Sequence, residues 1–304
     1  MLRSVNCRVL LHHVPSSRVV FRAYATQTQK SNVKSPGQST PEDIERYINM
    51  SEHSKTGFDP WARGVPLLDL HVPTPLSSLP KDTSVRDRLK FMRHGLDNKL
   101  SNVTTMFRIA KNRSFPWNPS VSPYSLQIFK ASSTKPNTWL EPLRTLALDS
   151  YERINTAVAT NDINTIRSLT DGKYKKRMLE RMKSLHASGS TKSLKKKQPL
   201  RTIHTWRLHS LASPVQCVSI RGQQAHFGRA EPLFGTRWVV QACMKFDTWQ
   251  SITSMSMGHT SAPEPKRVLE YLVFEKTMWY DDPWAVRDQL WEGMLPDVQS
   301  EDDS

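Results

Sequence analysis

The chain has 304 residues, a formal net charge of +15, 23% charged and 37% hydrophobic residues, and three cysteines. That length buries one substantial core with appendages, and the basic excess points to polyanionic partners. Cys7, Cys217 and Cys243 are too few for a disulfide framework or a four-cysteine zinc site, and no apolar run reaches the length of a membrane-spanning helix.

Residues 1–41 contain no Asp or Glu but include Arg3, Arg8, Arg18, Arg22, Lys30 and Lys34 among Ser, Val and Leu. Positive, acid-free, Ser-containing termini read as mitochondrial transit peptides, and Arg22-Ala23-Tyr24-Ala25 places cleavage after Tyr24, leaving residues 1–24 as the transit peptide. His12 and His13 interrupt the apolar stretch Val9–Val14, which disfavours a secretory signal. Loss of four Arg leaves a mature chain of 280 residues at +11.

Residues 25–81 form a Pro-rich arm, disordered or extended, with one short helix expected at Pro41–Met50. Between Phe58 and Pro80 the prolines forbid a regular helix or ladder, and Trp61, Leu67, Leu68 and Leu70 are suited to lying on another surface. Residues 82–111 switch to a helical period, with Val85, Leu89, Met92, Leu96, Leu100, Val103, Phe107 and Ala110 on one stripe. Arg86, Arg88, Lys90, Arg93 and Lys99 make this amphipathic helix basic. Its stripe faces either the domain core or a membrane or partner, which periodicity alone does not separate. Gly95 is a candidate bend.

Residues 112–137 read as a linker, and 138–294 as the folded domain. A helix is expected from the Pro142 turn to Thr160, with Leu143, Leu146, Ala147, Ser150, Tyr151, Ile154, Ala157 and Val158 inside. Asn161-Asp162 starts a second helix that ends near Leu169. Thr170 is positioned to cap a third, with Tyr174, Met178, Met182 and Leu185 inward. Period two then predicts strands at Arg201–Leu211, Val215–Gln223, Trp238–Phe246, Val268–Met278 and Trp284–Leu290, the middle one half-buried. Helices followed by strands give an α+β fold, helices packed on one face of a curved, cone-like antiparallel sheet. Residues 295–304 are an acidic tail.

Lys173–Arg207 holds twelve Lys or Arg against one acid, Glu180, a net +11 that equals the whole mature surplus. Lys173, Lys175, Lys176, Arg177, Arg181, Lys183, Lys192, Lys195, Lys196, Lys197 and Arg201 are therefore candidate contacts to rRNA or anionic lipid, both of which present phosphate. No phosphate loop, dinucleotide fingerprint, nucleophile elbow or H-E-x-x-H motif is present. His204 and His209, five apart on a strand, fall on opposite faces and share no metal. Asp281-Asp282-Pro283 suits a turn. No catalytic, cofactor or metal residues are assigned, and no small-molecule substrate is expected.

Leu143–Thr170 (LRTLALDSYERINTAVATNDINTIRSLT) and Val268–Lys276 (VLEYLVFEK) together resemble the mitochondrial large-ribosomal-subunit protein forty-five family. That family includes the membrane-associated mitoribosome receptor of fungi and is related to the C-terminal domain of the import-motor inner-membrane anchor. The matching positions are Ala147, Asp149, Tyr151, Asn155 and Ala157; Leu169-Thr170 then Tyr174; Leu269, Glu270, Tyr271, Val273, Phe274 and Glu275; and Trp284 with Arg287. They span about residues 139–291, roughly half the chain. One departure is Phe246-Asp247-Thr248-Trp249, where family members often carry a Tyr-Asp-Arg-Phe-Gly-Arg turn.

The resemblance implies a helical layer on a curved sheet and a structural, non-enzymatic role beside the polypeptide exit of the mitochondrial large subunit. There the protein would tether the ribosome to the inner membrane for co-translational insertion. The implied partners are large-subunit rRNA, ribosomal proteins, the inner-membrane surface and insertion machinery, and nascent chains, and the implied location is the matrix, peripheral on the inner membrane. Alternatives are an import-motor adaptor and, less favoured, a small-molecule enzyme on the same fold.

Overall fold

The computed structural model describes residues 61, 64–74, 84–115, 121–187, 203–225, 232, 235–256, 259–261 and 263–292, all within one compact unit, His53–Ser304. The expected transit peptide with cleavage after Tyr24, the helix expected at 41–50, Lys192, Lys195, Lys196, Lys197, Arg201 and the acidic tail lie outside the described residues.

Four α-helices, α1 (Val85–Lys111), α2 (Glu141–Thr160), α3 (Ile163–Leu169) and α4 (Gly172–Ala187), precede strands β1 (Ile203–Gln224), β2 (Trp238–Ser256), β3 (His259–Ser261), β4 (Lys266–Thr277) and β5 (Ala285–Leu290). The sheet is antiparallel in the order β1-β2-β4-β5, with β3 beside the end of β2, and it is curled but not closed. This is the expected α+β architecture. The two strands expected at 201–223 are one long β1, bent through register shifts between Leu208 and Ser219. Bulges of this kind increase the local twist and let a 22-residue strand follow a curled sheet.

The helix starts follow local chemistry. Ser84 Oγ accepts from Asp87 N at the head of α1, Pro142 occupies the first turn of α2, and Asp162 accepts from Asn164 N and Thr165 N at the head of α3. Thr170 behaves differently from the expected cap. Its hydroxyl donates back to Ile166 O, closing α3, while Asp171 N donates to Val286 O and pins the α3–α4 junction to β5. Helix α1 runs through Gly95 without interruption.

The main core lies between α2–α4 and the inner sheet face. Tyr151 is its centre, stacked on Phe246 at 4.5 Å and edge-on to Trp206 at 6.0 Å. Its hydroxyl donates to Glu270 Oε2 at 2.6 Å. The stretch expected to be a linker packs here too. Phe115, Val121 and Ala131 are buried, and the Arg144 guanidinium on α2 donates to Ser133 O, Lys135 O and Thr138 Oγ1.

β2 is buried on both faces, not half-buried. Its outer residues Val239, Gln241 and Cys243 are sealed by the extended segment 64–74. Leu70 and Val72 pack on Val218, Cys243, Tyr271 and Val273, while Trp61 and Val65 pack on Val239 and Trp279. Each large apolar side chain sealed this way contributes about 1.5–3 kcal/mol. With its proline-punctuated backbone the segment forms no ladder, and Gln241 substitutes for one. Its carbonyl accepts from Leu68 N at 2.8 Å and its amide donates to Pro66 O at 3.1 Å.

Side-chain amides also cover the β1 edge. Asn102 donates to Val218 O at 3.2 Å and accepts from Ile220 N at 2.9 Å, imitating a neighbouring strand, and Asn98 adds a second donor to Val218 O at 3.0 Å. Arg221 braces both asparagines through Nη1 to Asn102 Oδ1 and Nη2 to Asn98 Oδ1. The upper part of α1 therefore meets the sheet through a polar face.

Candidate polyanion-binding face

The 16 residues of α4 divide cleanly between two environments. Tyr174, Met178 and Met182 recur at a spacing of four, are buried, and hold the helix on the core, with Leu185 half-buried beside them. The opposite side carries Lys173, Lys176 and Lys183, all exposed; Arg181, seven residues after Tyr174, is exposed at the edge of the apolar side, and Lys175 is half-buried at the border. Among the described residues no carboxylate approaches the charged groups of these five within ion-pair distance. The single acid of the helix, Glu180, is exposed on the same side. Cations in this arrangement keep their hydration until an external anion arrives.

Arg177 departs from the expected role. Its Nη1 donates to Gln289 Oε1 at 2.9 Å and its guanidinium lies 5.0 Å from the Trp291 ring centre, so it fastens α4 to β5 instead of facing solvent. Arg207, the last member of the basic run, is exposed on β1.

The basic residues of α1, Arg86, Arg88, Lys90, Arg93 and Lys99, are all exposed, but they form a separate surface. Helix α1 lies against β1 and α4 against β5, the strands at the two ends of the sheet order. Lys90–Asp87 and Arg93–Asp97 are exposed pairs within one helix and add little to stability. The α1 stripe is not core-facing over most of its length. Val85, Leu89, Met92, Leu96 and Leu100 are each more than half exposed, whereas Asn98, Asn102, Thr105, Met106 and Ile109 are buried. What holds α1 to β1 is the Asn98/Asn102 pair, four apart and on the opposite side from the stripe.

Burial is the main influence on the titratable groups inside the domain. Burial, then the charge of Glu270, pushes the Tyr151 phenol well above its ordinary value. Burial also pushes the Cys217 thiol up to about 12 and the Cys243 thiol well above its usual range, which removes both as nucleophiles near neutrality. His204 faces inward, its ring 5.2 Å from that of His186 and its Nδ1 2.9 Å from Ser254 Oγ, while His209 is exposed and bonds Ser251. The residues that carry the family resemblance meet as pairs. Tyr151 reaches Glu270, and Arg287 on β5 pairs with Glu275 on β4, which also accepts from Gln241. These contacts weld α2, β2, β4 and β5 together. Among the described residues no helix is long and apolar enough to cross a membrane.

No family model and no curated protein matches the chain. Among solved structures, the intermembrane space region of the chloroplast protein ARC6 is similar at 10% identity and a TM-score of 0.30, over 49% of this chain and 93% of that one. A likeness of that size decides neither fold family nor function.

Proposed function

We propose that this protein is a structural, non-enzymatic constituent of the mitochondrial large ribosomal subunit that holds the ribosome at the inner membrane. Its grip on the ribosome is electrostatic: α4 lays its lysines and arginine against rRNA phosphates, and the Lys192–Lys197 stretch that follows it in sequence extends the same contact. The observation that carries this reading is the division of α4, an apolar side locked on the core and an exposed side on which the cations outnumber the single acid, Glu180, and form no ion pair among the described residues. A solvated face explains scattered charges, but residues 173–207 alone carry a net +11 of this chain's +15. The targeting composition of residues 1–24 and the motifs shared with the protein forty-five family support the mitochondrial and ribosomal parts of the reading. The core is compatible with a structural role, with Tyr151, Phe246, Phe274 and Trp206 filling the space between helices and sheet.

The test is gradient sedimentation of gently lysed mitochondria. The chain is expected with the large subunit at low salt and is released progressively as salt rises. Migration as a free monomer at low salt, or recovery with translocase subunits without rRNA, contradicts the proposal.

A further inference from the structure

The outward side of α1 is a second interaction surface. Val85, Leu89, Met92, Leu96 and Leu100 are 73%, 59%, 56%, 58% and 58% exposed, although they are the aliphatic residues of the helix with the most regular spacing. Their steps of four, three, four and four residues place them, at about 100° per residue, within a sector of about 80°. The helix cannot roll to bury them. Asn98 and Asn102 on the other side are bonded to the backbone of Val218 and Ile220 and to Arg221, so the apolar line is fixed facing away from β1.

Width and charge decide what covers it. A core-facing or bilayer-lying helix needs an apolar face of about 100° or more, whereas a narrower line at four-three spacing is the seam that one other helix fills. Positive side chains border the line on both sides, Arg86 and Arg93 on one and Arg88 and Lys99 on the other. All are exposed, and α1 as a whole has seven Lys or Arg against Asp87 and Asp97. A second copy of the same seam would set like charges against each other along both borders, so a homodimer through α1 is disfavoured.

We propose that Val85–Leu100 is a docking seam for one amphipathic helix of another protein, with aliphatic residues at matching spacing and Asp or Glu along both borders. The seam is about 24 Å long at 1.5 Å per residue, which seats about two heptads of the partner. The inference stands apart from the ribosomal reading, because α1 and α4 contact opposite ends of the sheet.

The test uses the purified full chain and two labelled synthetic helical peptides of about three heptads with the same leucine seam, one bordered by Glu and one by Lys. Fluorescence anisotropy should show saturable binding of the Glu peptide that weakens as salt rises. Binding of the Lys peptide should be at least about tenfold weaker. The double variant L89D/L96D should weaken the Glu peptide at least about tenfold, and the triple variant R86Q/R93Q/K99Q, which leaves every packed residue in place, should weaken it and flatten the salt dependence. Equal binding of both peptides, or indifference to both variants, overturns the proposal. Failure to bind the Glu peptide combined with co-sedimentation on phosphatidylcholine–cardiolipin vesicles that L89D/L96D abolishes also overturns it, in favour of a lipid surface. Large-subunit association of L89D/L96D should match wild type, which separates this result from any failure of the ribosomal proposal.

Discussion

Replacing Asn102 with Ala should destabilise the domain far more than replacing Leu96 with Ala, the reverse of what hydrophobic periodicity implies. In the structure Asn102 accepts from Ile220 N and Arg221 Nη1 and donates to Val218 O. Truncation leaves Val218 O with Asn98 and leaves Arg221 with Asn98 Oδ1 and Ile220 O, but Ile220 N is deprived of its side-chain acceptor. One orphaned buried donor costs about 1–3 kcal/mol, and the weakened hold on the guanidinium raises the expected total to about 2–4 kcal/mol. In a domain of this size that corresponds to a fall in Tm of about 5–15 °C. Leu96 is 58% exposed, so its truncation should change stability by about 0.5 kcal/mol or less. Urea titration followed by circular dichroism measures both, with an unchanged m value showing that the same surface unfolds. If α1 were held by its apolar stripe, Leu96→Ala would cost about 2–5 kcal/mol and Asn102→Ala almost nothing. That ordering would refute the account of how α1 is anchored.

Tyr151→Phe keeps the stack on Phe246 but removes the hydroxyl from Glu270, so the urea midpoint should fall by the equivalent of about 1–2 kcal/mol with native near-UV dichroism retained. His71, on the extended segment and 6.3 Å ring to ring from His94, has its pKa lowered first by burial, then by His94 and Arg221, against an opposing pull from Asp69. The unfolded chain therefore takes up this proton first as pH falls below about 6.5, so stability is full above that value and is lost as pH drops through the lower folded-state pKa. His71→Gln should flatten this part of a thermal-melt pH series, and an identical slope in the variant would exclude His71 as its source. Cys217 and Cys243 should react with a thiol reagent at pH 8 only when the domain is unfolded, since both are fully buried with raised pKa values, and rapid native labelling of either would contradict the packing described.

The elements were readable where periodicity, caps and turns agree. Pro142 and Asp162 mark their helices, the Tyr174-Met178-Met182 spacing identifies the inner side of α4, and the alternation from Trp238 to Phe246 marks β2. What was not readable depends on contacts distant in sequence. Gln241 looks like an outward polar residue of a half-wet strand until a segment some 170 residues away, its Pro66 and Leu68 backbone, is laid across it. Asn98 and Asn102 look like the wet side of α1 because the partner they satisfy is an edge-strand backbone, which leaves no trace in side-chain periodicity. The same applies to Arg177, whose acceptor Gln289 and ring partner Trp291 come from the far end of the chain. Composition marks the basic run as a candidate, but only the packing of Tyr174 and Met178 decides which of its cations face outward.

The most direct measurement is the salt-dependent release of the protein from isolated mitochondrial large subunits, wild type against K173Q/K176Q/R181Q/K183Q. Because the substituted residues are exposed, the variant should fold with wild-type stability. It should leave the subunit at lower salt, with a log–log slope shallower by about 0.7–0.9 for each phosphate that the variant no longer neutralises. A release curve that superimposes on wild type would contradict the claim that α4 grips the ribosome through phosphate.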